Sequence, residues 1–290
     1  MPQSLSDYIN DVRLLLHDAN GQFYSDDELT RYINKGRTRV CSDTGMYREI
    51  RSKQLLPNIE QITLDYDALS VMSIFVLWSM ERYPLGCISW QELNETKRIW
   101  ALYRNYPVCY AQVGKLIYIS PSPDQNYYSE WDCPIIPSDG KITQATPINP
   151  IGISPGYAAG DKLGLVAPAG TSLQGQGATL QVDSVLADGS VVSLTVISAG
   201  TNYSAGDTYA VFGGSGVSLT VTVDSVTSTV LSSHYPMDTV IIDPYPEPVS
   251  HWAAYLAKLK DQSLTEASNM KQAYFELLYG NTGSPAHRKS

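Results

Sequence analysis

Between Pro137 and His234 the sequence changes character. On either side, apolar residues recur at helical spacing; between them, Gly, Ser, Thr and Val alternate in short runs. A change of period from about 3.6 to 2 within one chain means that one segment cannot continue the core of the other, so the chain is expected to carry an all-β segment inside a helix-containing domain. The division expected from composition is 1–138, 139–233 and 234–290, with the first and third parts making one domain. At 290 residues the chain is long enough for two modest cores.

The middle segment repeats itself. ISPGYAAGD, ending at Asp161, aligns with ISAGTNYSAGD, ending at Asp207, and VDSV at 182–185 aligns with VDSV at 223–226. A duplicated β unit is expected. Asp188-Gly189, between LQVDSVL and SVVSLTVIS, is the dipeptide of a type I′ hairpin. The Gly-rich stretches GQGAT (175–179) and GGSGVS (213–218) lead into strand-like sequence and carry no Lys, so they read as turns and not as phosphate cradles.

The flanks give helix signals with defined ends. Ser4 and Asp7 bracket the start of LSDYINDVRLLLHD, in which Leu5, Tyr8, Ile9, Val12, Leu15 and Leu16 share a face. Ser25 and Glu28 have the spacing of a capping box and open a second helix with Leu29, Tyr32, Ile33 and Val40 inward. Two strands are expected between Gln61 and Phe75. A third helix follows over SWQELNETKRIWALYRN with Leu93, Ile99, Trp100 and Tyr103 inward. Next comes a three-stranded antiparallel meander: a strand before Gly114, one closed by Pro121 and Pro123, and one around 127–136. Pro244, Glu247, Pro248 and Ser250 prepare a long helical stretch, one helix or two broken near Ser263. The predicted fold class is α+β, a helical bundle with a small antiparallel β meander plus an inserted all-β domain built from a duplicated unit.

Composition excludes several functions. The net charge of −9 removes the electrostatic footprint of a tight nucleic-acid binder. Cys41, Cys87, Cys109 and Cys133 form no C-x-x-C pair and are expected to be free thiols. His17, His234, His251 and His287 stand alone, without metal-ligand spacing. Asp26, Asp27 and Glu28 suit the positive end of a helix. The start has no signal-peptide pattern, and the most apolar run, 68–80, is too short to span a bilayer. A soluble protein made in the cytoplasm is expected, with no catalytic, cofactor-binding or metal-binding residue nominated. Glu92 and Asp243 are carboxylates of the type a glycosidase uses, but nothing in the sequence brings them together. The 20 tyrosines and the low charged fraction of 17% suit extensive protein interfaces or a stacked β core.

LSDYINDVRLLLHDANGQFYSDDELTRYINKGRTRVCSDTG, then CISWQELNETKRIWALYRNYPVCYAQVGKLIYISPSPDQNYYSEWDCPIIP, then PYPEPVSHWAAYLAKLKDQSLTEASNMKQAYFELL resemble, in pattern and order, the head-to-tail adaptor proteins of tailed bacteriophages, the short-tailed ones in particular. The resemblance covers about two thirds of the chain and leaves out the middle segment. It implies a non-enzymatic virion protein of the neck, assembled in the host cytoplasm. Such a protein forms a homo-oligomeric ring, generally a dodecamer, between the portal protein and a tail hub or nozzle protein, with genomic DNA passing through unbound and no membrane contact. It also implies that the C-terminal segment reaches the portal, with Trp252, Tyr255, Leu259, Tyr274, Leu278, Arg288 and Lys289 as contact residues. The middle segment is expected to meet tail fibres, the collar or neighbouring subunits. The alternative is a tail accessory protein with glycan-binding or peptidoglycan-hydrolase activity.

Overall fold

The computed structural model describes residues 3–78, 81–96, 103–151, 154–233 and 237–280. Helices α1 (Leu5–Leu16) and α2 (Asp26–Thr44) come first, followed by strands β1 (Arg48–Leu55), β2 (Gln61–Thr63), β3 (Ser73–Trp78), β4 (Glu81–Pro84) and β5 (Gly86–Cys87). After α3 (Trp90–Thr96) come β6 (Cys109–Val113), β7 (Leu116–Ser120), β8 (Tyr127–Pro134), β9 (Lys141–Ile148), β10 (Lys162–Val166) and β11 (Gln176–Val185). Strands β12 (Val191–Thr201), β13 (Thr208–Phe212) and β14 (Thr220–Thr227) precede α4 (Pro246–Lys260) and α5 (Leu264–Tyr279). The fold is mixed α+β. It divides into two compact units, 1–47 with 229–290, and 48–228. The expected division at 138/139 falls inside the second unit, between β8 and β9.

In the helical unit, the ends of the elements follow local chemistry. Ser4 Oγ accepts from Asp7 N and the Asp7 carboxylate accepts from Ser4 N, a complete capping box. At α2 the expected box is only half made. Ser25 Oγ accepts from Glu28 N, but the Glu28 carboxylate turns away to the Tyr32 hydroxyl at 2.9 Å and the Lys260 ammonium at 2.6 Å. A charged partner on α4 outcompetes a neutral backbone N–H. Gly45 closes α2 in the left-handed conformation, φ 62°. The C-terminal stretch is two helices, broken where Gln262 takes φ 60°. Helix α4 packs against α1, α2 and α5, burying Val249, Ala253, Ala254 and Ala257.

The second unit holds three sheets, ordered β1-β8-β3-β4, β2-β7-β6-β5 and β12-β11-β10-β13-β14-β9. This corrects the three-stranded meander. β6 and β7 form the expected hairpin through Gly114, but β8 lies in a different sheet between β1 and β3. The reason lies in the ladders: β8 pairs with β1 from Arg48↔Pro134 to Leu55↔Tyr127 on one edge and with β3 from Ser73↔Asp132 to Leu77↔Tyr128 on the other, so its backbone groups find partners on both edges there, and Trp131 is fully buried. Two further expectations change. Tyr103 is 51% exposed instead of inward, while Leu93 is buried; Ile99 and Trp100 lie outside the described residues. The β11–β12 hairpin turns through the three residues Ala187–Gly189, closed by Leu186 N donating to Ser190 O, and only Gly189 has positive φ, so the turn is not type I′.

The six-stranded sheet curls until its edges meet. Asn202 N and Tyr203 N, at the end of β12, donate to Asp139 O and Gly140 O, at the start of β9. Leu163, Leu180, Val182, Tyr203, Tyr209, Val221 and Val223 fill the interior.

Gly36 tests the helix packing. Replacing Gly by Ala inside a helix ordinarily stabilises by about 1 kcal/mol. At Gly36, however, a Cβ would sit 2.8 Å from the Val249 carbonyl oxygen on α4. Gly36→Ala is therefore expected to lose about 1–3 kcal/mol through overpacking, read as a lowered denaturation midpoint of the helical signal; an unchanged or raised midpoint would show that α4 is free to move away.

Candidate assembly elements

The residues expected to meet the portal are mostly used to hold α4 and α5 together. The Trp252 ring lies 5.0 Å from Tyr255 and 4.8 Å from Tyr274, and the Arg39 guanidinium sits 5.0 Å over it. Tyr274 is fully buried and donates its hydroxyl to Asp43 Oδ2 at 2.8 Å. Burial, and then Asp43, push that phenol well above its ordinary range. These three aromatic residues join α5 to α4 and α2 and stiffen the hairpin. Leu259 is 38% exposed and Leu278 is half-buried. Arg288 and Lys289 lie outside the described residues. Sequence pattern missed the most exposed apolar side chains of this unit, Phe23 at 79%, Leu264 at 69% and Leu14 at 66%. They stand in a turn, at a helix start and on an outer helix face, where periodicity gives no signal.

The helical unit is closed by a buried ion pair. Arg37 Nε and Nη2 each donate to Asp238 at 2.7 Å, and both side chains are at most 1% exposed. Arg37 Nη1 also donates to Asn34 Oδ1 and to Thr229 O. Asp238 further accepts from the Tyr8 hydroxyl, Val240 N and Ile241 N. Burial, with the Asp238 charge next, drives the Tyr8 phenol far upward, so it stays a donor. The pair thus ties α1, α2 and the returning segment after β14 at one point. A buried arginine on a helix has no sequence signal, because the same residue type normally marks the solvated face.

The second unit has a counterpart. Arg51, on β1 and fully buried, donates to Asp65 at 3.0 Å, to Asp67 at 2.6 and 2.8 Å, and to Glu49 at 2.8 Å. Lys141 on β9 approaches Asp67 and Glu49, and Lys53 reaches Asp65 at 2.5 Å. Ser52 N donates to Thr179 Oγ1 on β11, and Ala199 N on β12 donates to Glu49. Three cations and three carboxylates therefore join the β1 sheet to the six-stranded sheet. Burial raises the Asp67 carboxyl, but the Arg51 hydrogen bonds and charge, with Lys141 and Ser138, more than reverse it and hold it below its ordinary value. Among the described residues no group of three or more His, Cys, Asp or Glu could hold a metal, and no helix is long and apolar enough to cross a membrane. Glu92 and Asp243 belong to different units.

A family profile described as SU10 adaptor protein matches residues 3–284. The chain belongs to the SU10 adaptor protein family. It is thus a bacteriophage head-tail adaptor, a virion component of a structural family. The match spans every helix and strand from α1 to α5, the six-stranded sheet included. No curated protein matches. In this adaptor the two ion clusters lie one in each unit, and each fixes how sequence-distant segments meet.

Two outcomes follow for the adaptor. Asp238→Ala leaves Arg37 buried and unpaired, and is expected to cost about 3–5 kcal/mol, while the double change Arg37→Met/Asp238→Leu costs much less; equal losses in a urea denaturation series would contradict the ion-pair account. Because the folded Asp67 carboxyl titrates below its unfolded value, its stabilisation is fully present above the unfolded value near pH 4 and is lost as the pH falls through the folded one. Acid denaturation of the β signal, followed from pH 5 to pH 2, is expected to flatten in Asp67→Asn; a curve parallel to the native one would assign the acid sensitivity elsewhere.

Proposed function

We propose that this protein forms an oligomeric ring, a dodecamer, in the neck of a short-tailed phage virion, joining the capsid portal protein to the tail hub or nozzle and lining the channel through which DNA is ejected. The observation that carries the reading is the adaptor-family match over nearly the whole chain. Surface chemistry supports it. Phe23, Leu264 and Leu14 leave large apolar areas in water, a cost that a ring neighbour or the portal would remove. The acidic balance suits a channel wall: like charge repels the phosphate backbone and lets the duplex slide.

In this reading, the α4–α5 hairpin and the residues after it face the portal, with Leu259 and Leu278 at the contact and Trp252, Tyr255 and Tyr274 keeping the hairpin stiff. The segment 139–233 is an inserted β domain that reaches tail fibres, the collar or a neighbouring subunit. The segment is poor in charge, with six Asp and two Lys and no Arg or Glu. The protein is structural rather than catalytic.

The test is mass photometry with negative-stain imaging of the chain alone and mixed with the portal protein of the same phage. A portal-dependent shift to a ring-shaped particle of uniform size is expected. A chain that stays monomeric beside assembled portal rings would overturn the reading. Added double-stranded DNA is expected to give no retained complex even at low salt, where a basic channel would hold it.

A further inference from the structure

The six-stranded sheet is read most simply as two interlocked halves, β9-β10-β11 and β12-β13-β14. Its strand order, β12-β11-β10-β13-β14-β9, is unchanged when each strand is exchanged for the one three places away in the chain. The pairing agrees to the residue. At the centre, Gly164 faces Phe212, Leu165 faces Val211 and Val166 faces Ala210. Aligning Asp161 with Asp207 makes Leu165 and Val211 equivalents, so a two-fold axis passes between them.

The outer ladders obey the same axis. Both copies of VDSV carry a register shift at the Asp, between Val182 and Ser184 and between Val223 and Ser225. At each bulge the Asp takes a Thr hydroxyl from the neighbouring strand, Thr195 to Asp183 at 2.7 Å and Thr146 to Asp224 at 2.6 Å. Beside it the Ser meets a second hydroxyl, Ser193 for Ser184 and Thr143 for Ser225. Gly160 N donates to Val182 O and Gly206 N to Val223 O, each at 2.7 Å. Deeper in the sheet, the Tyr203 hydroxyl accepts from Ala178 N, and that of Tyr157 accepts from Leu219 N. A Cβ at Gly175 would strike the Tyr203 ring and one at Gly216 the Tyr157 ring. Each contact has its mate.

Three of the five ladders, β12–β11, β10–β13 and β14–β9, run between halves. One half alone retains only a two-stranded hairpin and an unpaired strand, which is not stable in water. Each half therefore has to be completed by another. The only covalent link between them is the β11–β12 hairpin loop, Ala187–Gly189. Since the complement of a half is chemically the same whichever chain supplies it, exchange keeps every contact between the halves and gives up only those of the hinge loop, such as Gly189 N to Leu186 O, which is the condition that makes swapping an inexpensive route to chain association.

We infer that this sheet is an internal two-fold pair whose halves can be supplied by a second copy of the chain, so that it is a site of reciprocal exchange between copies. This does not depend on docking to a portal. It is tested with full-length chains in a Cys87→Ser background, since Cys87 is the exposed native thiol. Ser184→Cys and Ser193→Cys are placed on separate, co-expressed chains. These positions touch only across the two halves, so a disulfide-linked dimer on a non-reducing gel reports exchange. The expected result is that dimer, matched by the mate pair Thr143→Cys with Ser225→Cys, and none from Lys162→Cys with Gln181→Cys, which pair within one half. The competence of the geometry is checked by putting Ser184→Cys and Ser193→Cys on one chain. If that chain closes its internal disulfide while the co-expressed single variants stay monomeric, exchange is overturned.

Discussion

The buried pair between Arg37 and Asp238 is the constraint on which the helical unit depends. The chain leaves that unit after Tyr47 and re-enters it at Thr229, and bringing the ends of so long an excursion together costs conformational entropy that grows with the logarithm of its length. One bidentate contact, seconded by Tyr8, Asn34 and the Thr229 carbonyl, fixes where the returning segment lies. A charge pair is a directional choice here. Its two parallel N–H···O contacts require the guanidinium and the carboxylate to meet in one orientation, a demand that apolar packing does not make.

The same device recurs around Arg51, where three cations and three carboxylates join two sheets of the second unit. A surface between sheets made of charges and backbone donors specifies one arrangement, because any slip leaves a buried ion without its partner. Asp67 illustrates the balance: burial opposes its charge, and the guanidinium beside it prevails. The adaptor thus stabilises both units with ordinary apolar cores and orders their long-range connections with ions.

Local chemistry was legible in the sequence and long-range chemistry was not. The caps at Ser4 and Ser25 and the hairpin at Gly114 follow from interactions within four residues, so they could be read directly, whereas the pattern near Ser263 fitted one helix as well as the two that form. Strand β1 was invisible because its inward residues include Arg51, and charge conceals a strand's alternation. β8 was assigned to the wrong neighbour because adjacency in sequence pointed to β7, whereas the strands it pairs with, β1 and β3, lie far back in the chain. Of the residues nominated for the portal, Tyr274 is internal: an aromatic at helical spacing marks a packed face whether the partner is another helix of the same chain or another protein. The adaptor resemblance was legible because cap spacing and element order survive in the pattern.

In the proposed function, docking belongs to the helical unit, held in one shape by its buried pair, while the β unit serves other contacts. Hydrogen–deuterium exchange of the full chain with and without assembled portal protein checks this. Portal-dependent protection is expected over α4 and α5, with the amides of β9 to β14 unchanged. Protection confined to the six-stranded sheet, with the α4–α5 hairpin exchanging as it does alone, would contradict it.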